Sequence, residues 1–369
     1  MSESPAPKPA APTFESGARA MNEALQTKGV EAYFADASDP LHKAFIAKAA
    51  VHSGPGGRPL IGEEAEKAID SHYDTPRSGR SLAYIHVPFC ETRCLYCMFY
   101  QNPWKEEATT EYAKQLVKEL ELWSDRAAQN AAPINALYFG GGTPTAFSAD
   151  DIRLVMGAVK KYLPLANDCE ITLEGRIHNF SDAKMDAAIE SGVNRFSLGV
   201  QTFNTQIRQS VMRVDDRDTI IRRLDKLCSY NNASVVCDMI YGFPGQTMEV
   251  WEDDLKTAAS LHLDGVDCYQ LNVFEKSPLA RYIANGKLPR AATSDEKADF
   301  FAKSVEYFTS QNWRRLSNNH WGRTIRERNI YNAWGKSACD CLAFGCGAGG
   351  RLAGYSYMME RKLADYYRL

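Results

Sequence analysis

The sequence predicts an α/β fold, a partial (β/α)6 barrel of parallel strands ringed by helices, with an N-terminal extension and a C-terminal α+β region. Three observations carry this. From about residue 81, short β-branched or aromatic runs alternate with longer amphipathic stretches, which is the rhythm of βα units. The unusual polar and glycine residues fall at or near the C-terminal ends of the strand runs, where barrels and open α/β sheets build active sites. No Gly-x-Gly-x-x-Gly follows the first strand run, which argues against a dinucleotide-binding doubly wound sheet.

In chain order, residues 1–78 read as the N-terminal extension. Its first 15 residues are Pro- and Ala-rich with little to bury, so a disordered tail is expected there. Helix-like patches at 17–28 and 40–51 precede the loop-forming Gly54-Pro-Gly-Gly. Residues 79–293 form the barrel core and 294–369 the C-terminal region. Strands are expected at 82–87, 134–139, 170–174, 195–200, 235–241 and 266–273. Helices are expected between them at 109–129, 150–162, 181–191, 216–230 and 247–261, and after them at 294–310.

Each strand run delivers something chemical at its end. The first leads into Cys90, Cys94 and Cys97, the second into Gly140-Gly-Gly-Thr-Pro, and the third ends at Glu174. The fourth ends at Gln201, the fifth carries Asp238 before Gly242-Phe-Pro-Gly, and the sixth ends near Asn272. Six such placements describe one mouth.

The composition excludes several classes. A net charge of -3 gives no basic face for a phosphate backbone, so no nucleic-acid partner is expected. No apolar run approaches the roughly 18 residues of a membrane span, and the start, Met1-Ser-Glu-Ser-Pro, lacks a signal-peptide pattern. A cytoplasmic protein with no membrane partner is therefore expected. Ten cysteines in that compartment point to metal or catalytic roles rather than disulfides.

Cys90-x-x-x-Cys94-x-x-Cys97 is the sharpest signal. Three thiolates on one tight loop can hold three irons of a [4Fe–4S] cluster, leaving the fourth open to a small molecule. A zinc site would want four tetrahedral ligands, and buried inert thiols would not need this spacing. Here the chain resembles the radical S-adenosylmethionine (SAM) superfamily, whose signature is C-x-x-x-C-x-x-C. Within it the chain is similar to the group typified by the oxygen-independent coproporphyrinogen dehydrogenase. The motifs YIHVPFC, YFGGGTPT, ITLEG, NRFSLGVQTF, CDMIYGFPGQT and FGCGAGG carry that likeness in order.

The resemblance implies a TIM-like radical SAM barrel, a [4Fe–4S] cluster on Cys90, Cys94 and Cys97, and two SAM molecules. Tyr84, Gly141 and Glu174 would hold the first SAM, with Gly349 closing over it by backbone. Tyr96, Gly142, Thr143, Gln201, Arg213, Asp238 and Asn272 would hold the second. Phe99 stands where coproporphyrinogen dehydrogenases carry a further Cys, and Arg328 where heme chaperones carry a His. The segments CMFYQNPW, TLEGRIHNF and SNNHWGRTIRERNIYN resemble instead the heme-utilisation branch (the ChuW/HutW type). That branch implies an anaerobic methyltransferase that opens the heme macrocycle and frees its iron. Its substrate would be heme or a porphyrin, and its electron donor a flavodoxin-like protein or a flavin reductase. Coproporphyrinogen oxidation and non-enzymatic heme binding remain the alternatives.

Residues that could meet heme are His178, His320 and Cys346, as iron ligands, proton carriers or a reactive thiol. Arg314, Arg315, Arg323, Arg326 and Arg328 would suit propionates, and Trp313, Trp321 and Trp334 a flat macrocycle. Packed or solvated roles are the alternative for each. His86, just ahead of the cysteines, is expected to brace their loop.

Overall fold

A computed structural model describes residues 39–43, 58–337 and 339–368. The expected tail at 1–15 and the patch at 17–28 lie outside them, and of the patch at 40–51 only the helix Pro40–Lys43 is described. Helix α1 (Gly62–Tyr73) precedes six parallel strands that pair in chain order. These are β1 (Ser81–Val87), β2 (Ile134–Gly141), β3 (Leu165–Gly175), β4 (Arg195–Gln201), β5 (Ser234–Tyr241) and β6 (Gly265–Gln270). Between them run α2 (Glu106–Leu122), α3 (Ala149–Tyr162), α4 (Asp182–Glu190), α5 (Arg217–Ser229) and α6 (Met248–Ser260), and α7 (Ser294–Ser310) follows.

Local chemistry starts these helices where they start. Ser148 and Asp151 form a capping box at α3, as do Thr293 and Glu296 at α7. Asp216 caps α5 and Thr247 caps α6 through their side-chain oxygens. The expected helix at 109–129 spans Glu106–Leu122 instead, followed by a separate short helix, Ala127–Asn130, whose Gln129 amide donates to Leu120 O (3.2 Å) and Tyr162 O (2.9 Å). The sixth strand stops at Gln270 rather than 273, since the chain turns there toward the Ser277-capped helix Pro278–Ala284.

The strand faces separate two environments. Side chains pointing outward are buried under the helices, as parallel strands require. Those pointing inward near the downstream ends stay partly open. In β1 only Tyr84 is half-exposed; elsewhere the open positions include Tyr138, Glu174, Gly199, Asp238 and Tyr269. Alternation along a strand puts such residues on one face, so the barrel holds a solvent-reached well. A second apolar cluster, including Leu95, Val211, Phe243, Leu271 and Leu279, lies at the mouth apart from the main core.

The C-terminal strands join the same sheet. They are β7 (Arg314–Arg315), β8 (His320–Gly322), β9 (Asp340–Phe344), β10 (Gly349–Leu352) and β11 (Tyr355–Met358). Strand β8 pairs antiparallel with β6, and β9 pairs parallel with β1, so the sheet has 11 strands. Both edges of the six-stranded arc are thereby covered.

The stretch linking β8 to β9 crosses under the upstream strand ends and closes them as a floor. Arg328 Nη2 donates to Asp168 O (2.9 Å), Arg323 Nη1 to Leu261 O (2.7 Å), and Glu170 accepts from the Ile330 and Tyr331 amides (3.1 and 3.2 Å). At its centre the fully buried Glu327 carboxylate takes Arg195 Nε at 3.1 Å, Ser234 Oγ at 2.6 Å and His320 Nε2 at 3.0 Å. His320 Nδ1 meets Asp267 Oδ2 at 2.5 Å. Burial alone would raise Glu327, but Arg195 and His320 hold it down at about 2. Burial would lower His320, yet Asp267 and Glu327 lift it to about 9.

Two consequences follow for stability. Glu327→Gln leaves Arg195 and His320 buried without their shared counter-charge and lowers the unfolding free energy by about 3–5 kcal/mol, measured by urea denaturation of the anaerobic protein. The His320 contribution is complete below its unfolded value of 6.5 and is lost as pH rises through about 9, whereas that of Glu327 is complete above 4.5 and lost toward about 2. Denaturation midpoints should fall at both ends of that range, and the alkaline fall should vanish in His320→Gln.

Candidate active site

The loop after β1 carries Cys90, Cys94 and Cys97 at the mouth, and several contacts hold it. Leu95 N donates to Val211 O (3.3 Å), and Leu279 N to Leu95 O (3.0 Å). Arg176, just past β3, donates from Nη1 to Thr92 O (3.1 Å) and Thr92 Oγ1 (2.7 Å). The thiols receive donors of their own: Thr143 Oγ1 lies 3.3 Å from Cys90 Sγ, Phe99 N 3.3 Å from Cys97 Sγ, and Arg213 Nη1 3.9 Å from Cys94 Sγ. Burial disfavours the Cys94 thiolate, but Arg213 and Arg176 outweigh it and draw its pKa below the ordinary value. Burial pushes Cys90 and Cys97 up.

Beside this loop the glycines after β2 are there for space. Gly141 has φ +107°, and a Cβ on it would lie 2.5 Å from the His86 ring. A Cβ on Gly142 would lie 2.6 Å from Phe89 O. A larger residue at either position would push the cysteine loop away from the β2 turn. The Gly142 amide meanwhile donates to Val87 O at 2.8 Å, which locks the two turns together.

Most of the residues singled out from sequence gather here. Tyr84 and Glu174 face the well, with the Tyr84 hydroxyl 3.1 Å from His86 Nδ1. Gln201 adopts φ +73° and lays its amide over Gly199, next to Arg213. Asp238 lies one strand on, 3.3 Å from Ser197 Oγ. Tyr96 packs edge-on against Phe243 at 5.3 Å and hydrogen-bonds Cys94. Asn272 is half-buried just beyond β6. Burial raises Glu174 to about 8 and Asp238 to about 7, each pushed further by a neighbouring aspartate. His86 does brace the loop, its ring packed on Gly141 and its pKa lowered by burial to about 4.

Other expectations are corrected. His320 is fully buried in the floor with both ring nitrogens engaged, so it has no free atom for iron. Cys346 is fully buried, and burial lifts its thiol to about 11. Gly349 is exposed on the outer hairpin opposite Met358, while Gly345 abuts the β1 end, where a Cβ would lie 2.6 Å from His86 O. The basic cluster binds backbone at the floor, opposite the mouth: Arg314 to Thr324 O, Arg315 to Ser317 O and Arg326 to Asn231 O, beside Arg323 and Arg328. Trp313 and Trp321 are core against Phe308, and Trp334 lies under the Arg80 guanidinium at 4.6 Å.

Three residues of the well escaped the sequence reading. Tyr138 and Tyr269 (42% exposed) face inward, and their alternation with Gly140 and Asp267 was the signal for them. Tyr331 had none. It rises from the floor segment to stack on Tyr138 at 4.7 Å between centroids. Asp215 and Glu91, which flank His178 on the rim at 2.9 and 3.6 Å, were also missed.

Comparison with known proteins agrees with this geometry. Residues 84–258 match the Radical SAM superfamily. The chain is 42% identical over 313 residues to an anaerobilin synthase of Escherichia coli O157:H7, covering 85% of this chain and 70% of that protein. It is 27% identical over 276 residues to a heme chaperone of Lactococcus lactis, covering 74% of this chain and 70% of that one. Among solved structures, coproporphyrinogen III oxidase of Escherichia coli shares the fold, with a TM-score of 0.71 at 23% identity over 84% of this chain and 72% of the other. Likeness of that order over most of the chain gives the assignment: the chain belongs to the radical SAM superfamily.

Proposed function

We propose that this protein is an anaerobic radical SAM methyltransferase that opens the heme macrocycle and releases its iron. The observation that carries the reading is the 42% identity to an anaerobilin synthase across 85% of the chain. The likeness to a heme chaperone is lower, at 27%, and Phe99 occupies the position of the extra coproporphyrinogen-dehydrogenase cysteine.

Superfamily membership brings a [4Fe–4S] cluster and SAM, which when bound together supply one-electron cleavage of the sulfonium. The residues present fit both. Cys90, Cys94 and Cys97 would hold three irons, with Arg213 and Arg176 offsetting thiolate charge. Arg213, buried beside Cys94, keeps an Nε with no hydrogen-bond partner among the described residues, as befits a donor that a docked ligand completes. Tyr84, Gly141 and Glu174 would receive one SAM. Tyr96, Gly142, Thr143, Gln201, Arg213, Asp238 and Asn272 would receive a second. Arg213 suits a carboxylate, and Glu174 and Asp238 suit ammonium and hydroxyl groups. Gly349, exposed on its hairpin, is left out.

Among the described residues no helix is long and apolar enough to cross a membrane. We place the enzyme in the cytoplasm with a flavodoxin-like protein or flavin reductase as donor, since such flavoproteins deliver single electrons at low potential.

Three outcomes test the reading. Cys94→Ala should abolish the visible absorption of the cluster and reduce SAM cleavage to background, read by iron analysis and 5′-deoxyadenosine formation. SAM binding at pH 7 should release protons, because a cationic ligand ionises the carboxyl of Glu174, which stands at about 8 in the free protein. Calorimetry in buffers of different ionisation enthalpy measures this, and Glu174→Gln should remove the release and weaken SAM roughly 10–100-fold. Reduced protein with SAM and heme should yield heme-dependent 5′-deoxyadenosine and S-adenosylhomocysteine, loss of the Soret band and a methylated linear product. Heme that stays bound and intact while SAM is spared would sink the methyltransferase reading in favour of a chaperone.

A further inference from the structure

We propose that His178 is the protein ligand to the heme iron and that Asp215 positions it; this rests on the heme reading above. The other described histidines are spoken for or misplaced. His42 sits between Asp39 and Asp299, His72 on α1 packs on Tyr355 in a cavity whose lining includes no residue of the cysteine loop, and His262 is exposed on the turn before β6 at the floor end. His320 has both nitrogens bonded inside the floor, and His86 is wedged against Gly141 beneath the β2 turn.

His178 differs in place and in pairing. It follows β3 on the rim of the mouth, its side chain 27% exposed, in a cleft shared with Thr92 of the cysteine loop and with Arg213. Its Nδ1 is 2.9 Å from Asp215 Oδ1, which accepts from it, so Nε2 is the ring nitrogen that a metal would take. Nε2 makes no hydrogen bond. The nearest carboxylate, Glu91, stands 3.6 Å away, and the same oxygen already accepts from Asn179 Nδ2 at 2.9 Å. Asp215 is itself held, because Arg208 Nε donates to its backbone oxygen at 2.8 Å. An imidazole whose far nitrogen donates to a carboxylate is how proteins prepare histidine for a metal, because the ring is held in one orientation.

The test uses the cluster-loaded full chain and ferric or ferrous heme under anaerobic conditions, without SAM. The wild type should show a nitrogen-ligated heme by Soret position, electron paramagnetic resonance and the iron–histidine stretch in resonance Raman. His178→Ala should lose that signature and bind heme at least about tenfold more weakly, and added imidazole should restore the spectrum. Asp215→Asn should keep the ligand but shift the iron–histidine stretch to lower frequency and weaken binding about 10–100-fold, which a merely structural carboxylate would not do. Iron content and circular dichroism check that each variant is folded. If His178→Ala matches the wild-type spectra, or Asp215→Asn leaves the stretch unmoved, the ligand assignment is overturned while heme remains the substrate. A wild-type chain that binds no heme overturns the functional reading itself, and the assignment with it.

Discussion

A carboxylate with no solvent around it, shared between a guanidinium and an imidazole, is what the architecture turns on. Glu327 meets Arg195 from the upstream end of β4 and His320 from β8, while His320 in turn meets Asp267 of β6. Such a group is costly to bury and tolerable only with all its partners in place. The geometry therefore ties the segment after β8 to the strands it crosses. With that segment anchored, Tyr331 enters the well from below, β9 reaches β1, and the open arc gains a closed floor and two covered edges.

The two ends of the barrel use polarity differently. At the floor, guanidiniums meet backbone carbonyls and carboxylates, and the result is structural. At the mouth, Arg213 faces the Cys94 thiol and Gln201 holds a left-handed backbone conformation, a local strain of the kind that persists at ligand sites. Inside the well, burial makes Glu174 and Asp238 hold their protons more tightly than ordinary carboxyl groups.

The barrel was legible from the alternation of strand and helix runs, because period and punctuation are local properties. The cysteine loop and the glycines after β2 were legible for the same reason, as spacing within one turn decides what a loop can hold. The heme candidates were not. His178 and His320 look alike as isolated histidines near aromatic residues, and only packing shows that one stands partly exposed on the rim while the other is sealed in the floor. The arginine-rich stretch after β8 read as a patch for propionates, yet its partners are carbonyls contributed by distant loops.

By itself, then, the sequence determined the six barrel strands and the helices between them, that the strand ends share one mouth, and that three thiols stand ready for a cluster, since each depends on neighbours within a few residues. Tertiary structure alone decided which end the last part of the chain covers. It decided that Tyr331 completes a tyrosine-lined well, and which histidine reaches the rim. Those outcomes depend on contacts between residues far apart in the chain, such as Arg195 with Glu327, 132 positions away, and no local pattern encodes where such partners meet.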